Sequence, residues 1–398
     1  MKGVLIALTA AALCGGASAA HPGPTLSFTI GAGVSDSGFA PLGGGICLGS
    51  ARVTEPKLDG GVSWSPDGRS LAFYRQTGSL TADVFVADAD GSHLRNLSRG
   101  SVDFSWAPDW SPDGSRIVYV AAGKTVEQLV TVRPDGSDRL PVPETAVDPN
   151  EQLRSPQWTP DGAWIGYTLT DGIHLVRPDG SGGHLLLRDA LGPAWSPDGR
   201  RIAFTRDGDL ALADSDGSNV ILITRTPNLL EGAPEWSPDG SKMVYVSIDE
   251  TDPKVENGPG DHMYLADGNA QNRRELRGPR GVAAWGPAWR PAAPAPRGTQ
   301  PCAILGTPHA DRLVGTAKGD LIFAGQGNDV VRGGSGDDII VGDVPFSAHP
   351  GKDRLYGGPG RDFIDSYDGR RDRVNGGPGR DRGVWDEHDR VRSIERYG

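Results

Sequence analysis

Cysteine, methionine and aromatic residues are scarce in this chain, with three Cys, three Met and 7% Phe, Trp and Tyr among 398 residues. So few cysteines exclude a disulfide-dense scaffold. Basic residues are in deficit, 40 Lys and Arg against 51 Asp and Glu. The resulting net charge of −11 argues against a general nucleic-acid binder or an anionic-membrane binder, and suits cations instead. Beyond the first twenty residues no apolar run approaches the ~18 to 20 residues that span a bilayer, so no stable membrane insertion is expected. Catalytic signatures are missing as well. There is no His-Glu-x-x-His, no Gly-x-Ser-x-Gly elbow and no phosphate-cradling glycine loop with Lys, and the eight His are scattered. What the chain has in excess is Gly, 58 residues, and Pro, 32, the two strongest helix breakers. Together with 37% hydrophobic residues and ten Trp, which exclude collagen and wholesale disorder, this composition predicts an all-β chain of two domains.

Lys2, the apolar stretch from Val4 to Leu13 and the small residues Ala17-Ser18-Ala19 form the charge, core and cleavage pattern of a secretory signal. Residues 1–19 are therefore expected to be removed, which places the chain outside the cytoplasm, secreted or in the cell envelope. Cys47 and Cys302 remain in an oxidising compartment, either as two independent buried thiols or as a pair.

The middle of the chain repeats one unit. Trp64-Ser65-Pro66-Asp67-Gly68 recurs at Trp110, at Trp158 with Thr159 for Ser, at Trp195 and at Trp236. Each copy is followed by a short apolar run such as Leu71-Ala72-Phe73-Tyr74 or Ile117-Val118-Tyr119-Val120. Pro-Asp-Gly between apolar runs is a tight turn: Pro fixes φ, Asp bonds nearby backbone and Gly accepts positive φ. A second turn follows in each unit, at Asp90-Gly91, Asp135-Gly136, Asp179-Gly180, Asp216-Gly217 and Asp267-Gly268. Four antiparallel strands per unit make a propeller blade. These motifs resemble the repeats of TolB-type, WD-repeat-like β-propellers, over residues 20–292.

Trp289-Arg290-Pro291 begins a sixth unit that has only its first strand. Leu26 to Thr29, Ile46 to Leu48 and Arg52 to Thr54 supply the other three, so six blades are expected, closed by both ends of the chain. Cys47 then lies in the closing blade and Cys302 just beyond its other part, which favours a disulfide clamp. Over so long a loop the chain-entropy model gives such a bond up to ~5 kcal/mol. Residues 293–302 read as a Pro-rich linker.

From 303 to 398 the period changes to nine. Asp recurs at 311, 320, 329 and 338 and again at 353, 362, 372, 381 and 389, with an aliphatic residue two places after each except at Gly383. Gly333 to Val341 fits Gly-Gly-x-Gly-x-Asp-x-aliphatic-x throughout. This resembles the hemolysin-type, or RTX, calcium-binding repeats, and the resemblance implies a short parallel β-roll. Calcium takes six to eight oxygens from carboxylates and carbonyls. The expected ligand set is Asp311, Asp320, Gly325, Gly327, Asn328, Asp329, Gly334, Gly336, Asp337, Asp338, Asp343, Asp353, Asp362 and Asp372. The resemblance stacks loops two repeats apart, pairing Asp311 with Asp329, Asp320 with Asp338, Asp353 with Asp372 and Asp362 with Asp381. His309, Lys318, Arg370 and Glu387 stand where glycine is expected. Lys352, Arg361, Arg371 and Arg380 precede later Asp residues, so the repeats are expected to degenerate after about 343, with Asp-Arg pairs replacing ions.

The reading is an exported, calcium-binding, non-enzymatic protein whose propeller is a platform for a protein, peptide or glycan. The alternative is a glycan- or peptide-active enzyme with its site at the mouth of the propeller channel.

Overall fold

A computed structural model describes residues 25–32, 42–48, 51–52, 59–78, 81–99, 104–227, 229–249, 261–276, 282–291, 300–301, 303–343 and 350–396. The expected signal segment and Cys302, hence the expected disulfide, lie outside these residues. Among the described residues the sole helical element is a 3-10 turn at Pro149–Glu151; the rest is strand and turn. The fold is all-β, a β-propeller followed by a parallel β-roll. By packing, the chain divides into two compact units, Met1–Thr29 with Asp59–Gly298, and Ile30–Leu58 with Thr299–Gly398.

In the first unit every Pro-Asp-Gly turn is closed in the same way. Asp113 Oδ1 accepts from Ser111 Oγ at 2.6 Å and from the Ser115 amide at 3.0 Å, and Asp67, Asp161, Asp198 and Asp239 repeat the arrangement. The glycine that follows takes φ between 64° and 72° in all five turns, the left-handed conformation that glycine adopts without steric cost. The second turn of the last unit differs from expectation. Its left-handed residue is Ala270 (φ 58°), two places after Gly268, because Asp267, not Asn269, occupies the position that Asp88 takes in the first unit.

The strand that leads into each Trp carries a bulge, at Gly60/Ser63, Trp106/Asp109, Arg154/Gln157, Leu191/Ala194 and Gly232/Glu235. A bulge re-aims the residues after it. These strands line a central channel of about 370 Å³ that includes Ser63, Asp109, Gln157 and Glu235. The core lies between successive four-stranded units. Ala72, Val84 and Val86 of one pack against Trp110, Ile117 and Tyr119 of the next. The first and last inner strands meet: Arg290 donates from Nε to the carbonyl of Gly68 at 2.8 Å and lies 5.3 Å from the Trp64 ring centre. Thr25–Ala32 lies beside Val282–Arg290, where a second strand was expected.

Six separate blades were expected, and the propeller strands form five sheets. The reason is local. Ala82 pairs with Phe104 in parallel, and this single bridge fuses two four-stranded units into one eight-stranded sheet.

In the second unit Leu42–Leu48 pairs with Ala51–Arg52, which pairs with Gln300–Pro301. The rest is the roll. Strands of two or three residues alternate between two parallel sheets of six and five strands. The aliphatic residues two places after each Asp form its core: Ile322, Val331, Ile340, Leu355, Ile364 and Val374 are buried, with Leu313 and Val391 at the ends. Gly383 stacks on Ile364, and a side chain there would meet Ile394, which takes up the space.

Candidate metal centre

The nine-residue period places the Asp residues in two stacked columns joined by main-chain hydrogen bonds. In one, the amide of Asp311 donates to Asp329 Oδ1 (2.7 Å), that of Asp329 to Asp353 (2.9 Å), that of Asp353 to Asp372 (2.8 Å) and that of Asp372 to Asp389 (2.8 Å). In the other the chain of bonds runs Asp320 to Asp338 (2.7 Å), Asp338 to Asp362 (2.9 Å) and Asp362 to Asp381 (3.0 Å). All four expected pairs are adjacent. Val344 to Pro350 interrupt the nine-residue period, and the links Asp329 to Asp353 and Asp338 to Asp362 carry both columns past them, so the ladders continue after 343.

Below Asp311 and Asp320, which head the columns and only donate to them, each carboxylate thus spends one oxygen on the ladder. The other oxygen distinguishes two kinds of site. In Asp311 and Asp320, Oδ2 accepts from the amide (2.6 Å in each) and the hydroxyl of Thr307 and Thr316 respectively. In Asp329, Asp353, Asp362, Asp372 and Asp381, Oδ2 is buried with no hydrogen-bond partner. A buried acceptor left bare is expensive unless something cationic meets it. The glycine five places before the Asp frames the same space. A Cβ on Gly357 would sit 2.2 Å from Asp362 Oδ2 and 2.5 Å from the Gly376 carbonyl, and a Cβ on Gly376 would meet Asp381 Oδ2 and the Ser393 carbonyl. Glycine therefore leaves an oxygen-lined opening where any side chain would block it. Among the described residues no three His, Cys, Asp or Glu side chains converge as a cage by themselves, so a cation here would need main-chain carbonyls as well. That donor set, hard oxygens mixed from side chain and backbone, fits calcium.

The electrostatics agree. Burial, followed by repulsion from Asp372, Asp329 and Asp343, pushes Asp353 up to about 8. Burial likewise raises Asp362 and Asp372 to about 7 and Asp329 to about 6. Asp343 reaches about 7, through burial and the charges of Asp368 and Asp329, and its Oδ1 is bare.

A scan of family models matches the RTX calcium-binding nonapeptide repeat at residues 305–340 and 348–382. The roll is built of RTX repeats. The propeller matches elsewhere: 102 residues are 32% identical to the Tol-Pal system protein TolB of Francisella tularensis, covering 25% of this chain and 22% of that protein. A further match over 112 residues is 27% identical to dipeptidyl-peptidase 5 of Porphyromonas gingivalis, 26% of this chain and 16% of the relative. The chain thus spans about a fifth or less of these relatives. Among solved structures, TolB from Acinetobacter baumannii superposes with a TM-score of 0.50 at 18% identity over 68% of each chain, a likeness of fold.

Within the RTX roll the expected residues separate. Asp329, Asp338, Asp343, Asp353, Asp362 and Asp372 are all buried and lie along the two columns or beside them. Gly325, Gly327, Gly334 and Gly336 take positive φ from 86° to 120° and press against the backbone of the preceding turn. Asn328 and Asp337 stand apart, on the rim: Asn328 accepts from the Lys352 amide, and Asp337 pairs with Arg361 at 2.8 Å. That pair is the expected Asp-Arg contact, but it lies outside the columns. Asp353, Asp362, Asp372 and Asp381 form no salt bridge among the described residues, which corrects the expectation of guanidinium bridges there. His309, Lys318, Arg370 and Glu387 avoid positive φ. At the first two, Thr307 and Thr316 close the turn with their hydroxyls instead.

Asp365, Asp368 and Asp386 were missed, and Asp389, read as part of the period, was left out of the ligand set. Burial raises Asp365 and Asp368 to about 6, and Asp368 is close enough to help raise Asp343. The signal was present in the sequence, as Asp filling places where the repeat loses its glycines, at Ser366-Tyr367-Asp368 and Trp385-Asp386-Glu387. Reading only the sixth position of each nonapeptide overlooks it.

Proposed function

We propose that this chain is an exported calcium-binding protein, with calcium held along the Asp329–Asp353–Asp372 and Asp338–Asp362–Asp381 columns and a non-enzymatic propeller that serves as a platform for a protein, peptide or glycan. The eight-stranded sheet then acts as two blades sharing one bridge, which restores a ring of six. The observation that carries the reading is the series of buried carboxylates, Asp329, Asp353, Asp362, Asp372 and Asp381, that each give one oxygen to the backbone ladder and keep the other bare. The ions would be held by those oxygens with carbonyls such as Gly357 and Gly376, and would supply the positive charge that the metal-free columns lack. In a low-calcium cytosol the columns repel themselves, so the roll is expected to order only after export. Calorimetric titration of the whole chain tests this. Uptake of calcium with a gain of β circular dichroism is expected, and a flat titration at millimolar calcium removes the reading.

One observation favours the second reading, an enzyme. Burial, with the charge of Asp109, pushes Glu235 in the channel up to about 8, and burial raises Asp109 to about 6. Such poise suits acid-base work. Part of the chain also resembles a dipeptidyl-peptidase. Glu235→Gln tests it: a peptide- or glycan-cleaving activity lost in this variant would place the chemistry in the channel.

A further inference from the structure

One face of the roll has the opposite sign from the chain as a whole. Arg354, Arg373 and Arg390 occupy the same position on three successive strands, in parallel register. Each is exposed, while the next residue, Leu355, Val374 or Val391, turns toward the core. Neighbouring strands lie about 4.8 Å apart, so the three guanidiniums form a ladder about 10 Å long. Two residues earlier in the first two rungs stand Lys352 and Arg371, also exposed. Among the described residues none of these five cations has a salt-bridge partner; in this part of the chain Arg361 pairs with Asp337 and the ring of His388 with Asp386. All five line one groove of about 270 Å³ with Asp353 and Asp372 as its floor.

We propose that this groove binds a linear acidic polysaccharide, one carrying a carboxylate on each sugar. A ladder of charges at regular spacing matches a polymer whose own charges recur along a line, and arginine takes a carboxylate with two parallel hydrogen bonds. Concavity favours a chain over a flat membrane surface. A single-stranded nucleic acid needs aromatic platforms for its bases, and no aromatic residue lines the groove. The inference rests on the calcium reading in one respect. Asp353 and Asp372 oppose an anion unless a cation offsets their charge.

The test uses the whole chain in millimolar calcium with hexagalacturonate, a uronate chain too short to gel with the ion. Binding that weakens as salt rises is expected. In Arg354→Gln/Arg373→Gln/Arg390→Gln it should weaken at least about tenfold, because three charge-assisted contacts are lost, with calcium uptake unchanged. Should that variant lose calcium uptake, Lys352→Gln/Arg371→Gln, which lies outside the strands, is read instead and should weaken binding several-fold. A chain that takes up calcium and ignores the probe overturns the groove and leaves the calcium reading standing. Equal binding by both variants, or tighter binding of phosphatidylserine vesicles or of an oligothymidylate, also overturns it. In a chain that takes up no calcium the calcium reading falls, and failure of the probe to bind there as well removes the groove.

Discussion

The propeller and the roll both set aspartates at regular intervals in glycine-containing turns, and use them in opposite ways. Asp113 in the propeller is exposed, and hydrogen bonds from Ser111 and Ser115 hold its carboxyl below the usual range. Asp353 in the roll is 1% exposed, bonds the backbone through one oxygen and keeps the other bare, and is pushed up to about 8. Periodic carboxylates alone therefore say little about metal binding. What separates a turn-former from a ligand is burial together with an acceptor that the protein does not satisfy.

That contrast can be broken most directly by chelation. Removing calcium should lower the roll's melting temperature by more than any other change while the propeller's stays in place; differential scanning calorimetry with and without chelator reads both. If the propeller melts with the roll, the two are not energetically distinct. Next in size, Asp329→Ala/Asp338→Ala should lower calcium affinity at least about tenfold, whereas Asp113→Ala should leave uptake untouched and lower the propeller's melting temperature by a few degrees through its lost turn bonds.

The dependence on pH should also differ. In the metal-free roll Asp353, Asp362 and Asp372 hold protons that the unfolded chain has already released. Their contribution to stability is therefore full below the ordinary carboxylate pKa of about 4 and is lost as pH rises toward 7 to 8. The metal-free roll should melt more easily at pH 8 than at pH 5. Calcium affinity should run the other way, rising over the same interval as protons cease to compete. Calorimetric scans at the two pH values decide it. The smallest effect is that of a turn glycine in the propeller, set against one in the roll. Gly334→Ala would put a methyl 2.0 Å from the Thr316 carbonyl and should weaken calcium uptake, while Gly199→Ala, at φ 68° with nothing within 4 Å, should cost the propeller only about 1 kcal/mol in a urea titration.

Much of this arrangement was legible in the sequence because it repeats. The turn chemistry of Asp67 to Asp239 and the core set from Leu313 to Val391 follow from period, and the pairing of Asp311 with Asp329 from the resemblance to RTX repeats. Period fails where copies are irregular. The insertion at 344–350 concealed the link from Asp329 to Asp353, and Asp368 is hidden because it occupies a place that belongs to glycine elsewhere. Lys352, Arg371 and Arg380 next to aspartate suggested pairing, yet each is exposed just before its strand while the following Asp is buried, so proximity in sequence misled. The fusion of two units through Ala82 and Phe104 is a matter of one bridge, beneath the resolution of any pattern.

The bond from Arg290 to the Gly68 carbonyl joins residues 222 positions apart. A ribosome emits the first of these long before the second, so the earliest unit must wait, with its flank uncovered, until the last inner strand has been synthesised. Such late, distant contacts slow assembly. For a polypeptide threaded across a membrane, as export would require, that delay is useful, since the ring cannot lock before transport has begun.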